Sequence, residues 1–224
     1  MNDDFFLDTY DSGVGSTIVF THGWTDNRNA WDGVIANLND HARCIAWSIR
    51  GHGESFAPPP GHYTRDHTLS DLKVITERSE EKVILAGHSL GGYLSLAHSL
   101  LYPEDVEALI LVGAGPGFRK KESIDQWNSS VIESAKKLDL PEGSEATALH
   151  TDAWVIDSLS EIKVPTLVIV GEHDKRFRAS MSVFEKYLNV KTSVVVEDAG
   201  HSVHRKKPLE VANAIKDFLG EISQ

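Results

Sequence analysis

Apolar residues along this chain fall into two alternating patterns: short, nearly continuous β-branched runs, and longer stretches where apolar positions recur every three or four residues. The runs Thr17 to Thr21, Ala42 to Ile49, the one that opens at Val83, Val106 to Gly113, Pro165 to Gly171 and Ser193 to Val196 predict strands, and Phe5 to Tyr10 alternates weakly enough for a short edge strand. Between them, helical spacing predicts helices: Trp31, Val34, Ile35 and Leu38 after the candidate caps Asp26 and Asn27; Leu69, Leu72 and Ile75 within 68–78; the segment from Leu90 to Leu101, stopped by Tyr102-Pro103; 181–188; and 208–222, with Leu209, Val211, Ala212, Ile215 and Phe218 on one side. Strands alternating with helices, and apolar on both sides, predict a mostly parallel central sheet with helices on both faces.

From Gly115 to about Lys163 the alternation stops. Ile124, Trp127, Val131, Ile132, Ala135 and Leu138 keep helical spacing, and Pro141 and Gly143 separate them from a second expected helix around Ala146 to Leu159. The expectation is one domain over 1–224, with a small two-helix cap at about 116–163.

The 224 residues are 41% hydrophobic, sufficient for one continuous core. A net charge of −11 excludes an overall footprint for nucleic acid or an anionic membrane. The one cysteine, Cys44, excludes an intrachain disulfide and fits a reducing compartment, and its apolar neighbours predict a packed thiol. No stretch reaches the roughly 18 apolar residues of a span, and the acidic start lacks a basic n-region, so a soluble, cytoplasmic monomer or homodimer is expected.

Chemistry concentrates at VILAGHSLGGYLSL, residues 83–96, where a GxSxG pattern joins a strand to a helix. So abrupt a turn drives Ser89 toward positive φ and requires little bulk at Gly87 and Gly91. By itself the pattern also suits any close helix-to-sheet crossing. Its weight comes from the groups placed after other strands: His-Gly-Trp at 22–24, Asp174, and His201. A serine hydroxyl needs a base, and the base needs a group that fixes its tautomer; Ser89, His201 and Asp174 can fill these roles, each just past the C-terminal end of a predicted parallel strand. The amides of Leu90 and Trp24 are the expected oxyanion donors.

Taken together, HGW at 22–24, RGHGES at 50–55, GHSLGG at 87–92, GEHD at 171–174 and AGH at 199–201 resemble the α/β-hydrolase fold superfamily from end to end. That resemblance implies the α/β-hydrolase fold and a serine hydrolase of the carboxylesterase type acting on a small-molecule ester, with no cofactor and no metal. Ser48 departs from relatives that carry an acidic residue before the Arg-Gly-His-Gly loop, which bears on loop anchoring. The short cap implies small or unselectively bound substrates.

The stretches GEHDKRFR and AGHSVHRKKP are similar to the menaquinone-pathway lyase of the superfamily, which acts on a polycarboxylate. Those relatives place an arginine after the Gly-Gly of the elbow, where this chain has Tyr93. Lyase or C–C hydrolase chemistry therefore stands as the alternative, and a ligand-binding homologue as a reading of another class.

Several residues carry two readings. His88 is expected either to shape the substrate pocket or to be a hydrogen-bonded structural group. Phe118 and Trp127 are substrate contacts or cap packing. His204 forms a metal pair with His201 by spacing alone, and the bland reading is favoured. His52 and His173 are expected to be solvated or loop-bonding, and Arg119, Lys120 and Lys121 a solvated charge cluster.

Overall fold

The computed structural model describes residues 5–223. Seven strands form one sheet in the order β1-β3-β2-β4-β5-β6-β7: β1 (Thr9–Ser12), β2 (Thr17–Thr21), β3 (Arg43–Trp47), β4 (Val83–His88), β5 (Val106–Val112), β6 (Pro165–Gly171) and β7 (Asn189–Val196). Of these, β1 alone is antiparallel to its neighbour; every other pairing is parallel, so the C-terminal ends from β2 to β7 share one edge.

The alternation of side chains along each strand sorts the core into two layers. Ile18, Phe20, Ile84, Ala86, Ile110 and Ile169 point to one face, packed by Trp31 of the preceding 3-10 turn and by α1 (Asp32–Ile35), α7 (Val203–Lys206) and α8 (Pro208–Ile222) through Ile35, Val203, Ile215 and Phe218. Val19, Leu85, Leu109, Leu111 and Val168 point to the other, where α2 (Arg65–Thr76), α3 (Leu90–Leu101) and α6 (Arg178–Tyr187) contribute Leu69, Leu72, Leu94, Ala97 and Phe184. A fully buried Phe218 or Ile215 contributes about 1.5–3 kcal/mol of transfer free energy.

The Arg-Gly-His-Gly loop is an anchor. Arg50 forks onto Asp71 of α2 (2.6 and 2.7 Å) and donates to the carbonyls of His62 and His67, fixing the 50–64 connection to the helix it precedes. Ser48, which stands where relatives carry an acid, donates to Asp8 (2.9 Å) and accepts from the Arg28 amide; a carboxylate thus reaches this corner from β1's side of the sheet. Of the two readings of His52, solvated or loop-bonding, the structure shows the second: the ring is buried, its Nδ1 lies 3.1 Å from the Arg50 carbonyl and it packs on His22.

Three expectations shift. The edge strand lies at 9–12, leaving Phe5 and Phe6 exposed, with Phe5 against Phe56. Strand β7 begins four residues before the expected start, because at the sheet edge its outward positions Asn189, Lys191 and Ser193 are polar and mask the pattern. The second cap helix is corrected outright. After α4 (Lys121–Ala135), residues 144–161 form 3-10 turns around a single short helix, α5 (Trp154–Ser158). Side chains of α4 take the backbone groups a continuous helix would use: Trp127 Nε1 donates to the Ala148 carbonyl, and Asn128 both donates to the His150 carbonyl and accepts from the His150 amide. Among the described residues no helix is long and apolar enough to cross a membrane.

Candidate active site

The shared C-terminal edge of the sheet opens beneath the cap into a cavity of about 630 Å³, with Ser89, Asp174, His201 and Trp24 all in its wall. Ser89 follows β4 with φ 51° and ψ −111°, an unfavourable conformation for a residue with a side chain. It is held from both sides: its amide donates to the Val112 carbonyl (3.0 Å), and its own carbonyl accepts from Gly92 and Tyr93 (3.1 Å each). A Cβ at Gly87 would run into the backbone of Gly91 and Gly92, and one at Gly91 into that of Thr21, which explains the two glycines. Leu90 is the first residue of α3, where an amide has no partner four residues back and the helix dipole is positive.

Asp174 leaves β6 buried, and His201 follows β7 half-buried. Asp174 Oδ2 lies 2.8 Å from His201 Nδ1, while Oδ1 accepts from the Phe177 amide at 3.2 Å. With Nδ1 donating to the carboxylate, Nε2 of the neutral ring is left as the acceptor. Burial pushes the Asp174 carboxyl up, but the hydrogen bond and charge attraction of His201 outweigh it, and its pKa is lowered overall. Phe177 stacks on the His201 ring, 4.8 Å between centroids and 16° from parallel.

His88 and Trp24 also reach this edge. Trp24 is half-buried beside Gly23, and its Nε1 has no hydrogen-bond partner among the described residues. His88 is buried, with Nε2 3.0 Å from the His201 carbonyl. In the cap, Phe118 and Trp127 are 5.6 Å apart and both contact the His150 ring, so the two predicted aromatics are together on the roof of the cavity.

Other residues of the wall were not anticipated. Tyr93, one helical turn past Ser89, packs edge-on to His150 (4.5 Å) and accepts from Arg65, which forks onto Asp152 (2.9 Å twice). The i to i+4 step from Ser89 to Tyr93 was available as a signal; the 87-residue step from Arg65 to Asp152 was not. Arg176 and Arg205 also line the cavity. Arg205 meets Asp26 at 3.2 Å, whereas Arg176 lies over the Trp127 ring and pairs with no carboxylate among the described residues. No cation comes from the elbow, but Arg176 comes from the loop after β6 and Arg205 from α7, after β7. Arg119 pairs with Asp157 and Lys121 with Asp125 on the cap's outside.

His204 packs, fully buried, against His88 and Trp31 rather than beside His201's free nitrogen. Among the described residues, Glu172, His173 and Asp198 bring potential metal-ligand atoms within 4.8 Å of one another, at the surface.

Residues 16–138 match the α/β hydrolase fold family. The chain is 27% identical, over 93% of its length and 92% of the relative's, to a putative 2-succinyl-6-hydroxy-2,4-cyclohexadiene-1-carboxylate synthase of Bacillus subtilis. It is 23% identical, over 92% and 95% respectively, to a pimeloyl-[acyl-carrier protein] methyl ester esterase of Wigglesworthia glossinidia brevipalpis. A thermophilic esterase from Thermogutta terrifontis, solved with malate bound, superposes with a TM-score of 0.83 at 25% identity, over 97% of this chain and 94% of that one. The sheet order, the strained serine between β4 and α3 and the matched segment agree: this chain belongs to the α/β-hydrolase fold family.

Proposed function

We propose that the protein is a serine hydrolase of carboxylic esters. The observation that carries this reading is the 2.8 Å Asp174–His201 contact, in the wall of the same cavity as a serine held at φ 51°. Ser89 Oγ attacks the ester carbonyl while His201 Nε2 takes its proton, and Asp174 stabilises the resulting imidazolium. The tetrahedral oxyanion is held by the Leu90 and Trp24 amides. His201 then returns the proton to the leaving alcohol, and water, activated by the same imidazole, releases the acid from Ser89. Phe118 and Trp127 wall the acyl side, and His88 stands beside the nucleophile. The esterase relatives support ester chemistry.

The test is hydrolysis of p-nitrophenyl esters from acetate to decanoate by wild type and Ser89→Ala. Turnover that disappears in the variant supports the serine esterase, and the chain-length profile sizes the acyl pocket. Asp174→Asn is expected to lower kcat by about 10⁴-fold with the fold retained. Turnover independent of Ser89 overturns the reading.

A second reading, proton abstraction and elimination with the same three residues, is favoured by Arg176, a guanidinium in the cavity wall without a carboxylate partner among the described residues. The carboxylate in the Bacillus relative's name is the kind of group it would hold. A chain with no Ser89-dependent turnover of any ester would move the assignment to this chemistry or to ligand binding, and fluorophosphonate labelling of Ser89 without turnover would favour ligand binding.

A further inference from the structure

We propose that His88 is a positioning residue whose imidazole ties the loop of His201 and the loop of Gly23 to the elbow that carries Ser89. This rests on the triad roles proposed for Ser89, Asp174 and His201. Its place in the chain fixes one of the three attachments, since His88 ends β4 and immediately precedes Ser89.

The second attachment spans 113 residues: His88 Nε2 donates to the His201 carbonyl at 3.0 Å. The two rings are 4.7 Å apart. A donor at Nε2 leaves Nδ1 unprotonated in the neutral ring. The third attachment is steric. A Cβ at position 23 would stand 2.6 Å from His88 Nδ1, so the backbone leading to Trp24 lies directly against the imidazole. Behind the ring, fully buried His204 packs at 4.1 Å and is itself backed by Trp31 at 4.6 Å, which removes any space for the wedge to retreat.

The chemistry at this point calls for a neutral donor of this shape. Phenylalanine would fill the same volume but abandon a backbone carbonyl in a buried place. A cationic side chain would oppose the imidazolium that forms on His201 during turnover. His88 meets both conditions: burial first, then the neighbouring His201 ring, lowers its pKa to about 3, against the smaller opposing effects of its bond to the His201 carbonyl and of Asp174, and alongside the push of Arg205.

The test compares His88→Phe, which keeps the ring and loses the donor, with His88→Gln, whose side-chain amide offers an N–H at similar reach. On p-nitrophenyl acetate His88→Phe is expected to lower kcat about 10- to 100-fold, the scale of a base displaced by up to an ångström, with KM nearly unchanged. His88→Gln should recover most of the loss. Wild-type kcat in His88→Phe, or equal losses in two folded variants, overturns the proposal. A readout independent of turnover is ¹⁵N NMR of the imidazoles: His88 should remain the neutral Nε2–H form between about pH 5 and 8, and the His201 signals should move in His88→Phe and return in His88→Gln. A His88 protonated at Nδ1 overturns the positioning role even if the ester reading stands, whereas absent turnover with the expected NMR pattern overturns the ester reading alone.

Discussion

A methyl group at position 23 would stand 2.6 Å from His88 Nδ1, well inside van der Waals contact. The ring cannot yield, because His204 and Trp31 back it, so the loop bearing Trp24 must move instead. Gly23→Ala is therefore expected to shift the Trp24 amide and remove one oxyanion donor, lowering kcat about 10²- to 10³-fold. Circular dichroism should find the fold unchanged, and a variant with wild-type kcat would remove Trp24 from the oxyanion site. Position 23 was legible in the sequence as the glycine of the His-Gly-Trp motif, but its neighbour was not. His88 and Gly23 meet only because β2 and β4 are adjacent in the sheet, and the bond from His88 to the His201 carbonyl joins parts of the chain that no local pattern relates. Ser89, Asp174 and His201 were legible for the opposite reason. Each comes soon after an apolar run, and parallel strands deliver the residues beyond their C-terminal ends to one edge.

Elements whose bounds are set by their own residues were equally legible. Strands β2 and β6 and helix α8 have the predicted limits, marked by apolar runs between turn residues and by Pro208 at a helix start. The second cap helix fails because its backbone is claimed from outside. Residues 146–159 have adequate helical spacing, but Trp127 and Asn128 of α4 hold the Ala148 carbonyl and both polar groups of His150 in a non-helical path. Arg65, from α2, holds Asp152 beyond it. Asn128→Ala should thus leave two backbone groups unsatisfied and destabilise the protein by about 1–3 kcal/mol for each group that water does not reach. The same variant should raise amide hydrogen exchange over 148–153 while sparing β4 to β6. Uniform exchange across the chain would mean that this cap contact is not a local latch. Since Phe118, Trp127 and His150 form one ring cluster on the cavity roof, a looser cap should also weaken discrimination between short and long acyl chains.

Across the whole molecule, the distribution of histidine makes stability depend on pH above the carboxylate range. Six of the 11 histidines, His22, His52, His88, His98, His150 and His204, are buried in the folded chain. Burial is the largest cause in every case and disfavours the charged form: it holds His22 and His88 down at about 3 and His98 and His150 at about 4, and lowers His52 and His204 as well. An unfolded chain takes up these protons near pH 6.5, while the folded one refuses them until lower pH. The unfolded state thus binds more protons below 6.5, and folding stability falls with falling pH. At pH 5.5 each of the five held furthest down removes on the order of 1 kcal/mol, and together they remove several kcal/mol, a large share of the stability of an ordinary domain, with His52 acting in the same direction. Asp71 works in the other direction, its pKa raised by burial against the pull of Arg50, but it is one group against six. Urea unfolding followed between pH 7.5 and 5 should therefore show the midpoint dropping steeply below about pH 6.5, with acid unfolding above pH 4 rather than below it. His98 packs under Tyr102, away from the cavity, and His98→Gln should flatten that slope by one proton without altering ester turnover at about pH 7.5. A flat stability profile from pH 7.5 to 5 would mean that the buried imidazoles are accommodated as cations, and the neutral state assigned to His88 would fall with them.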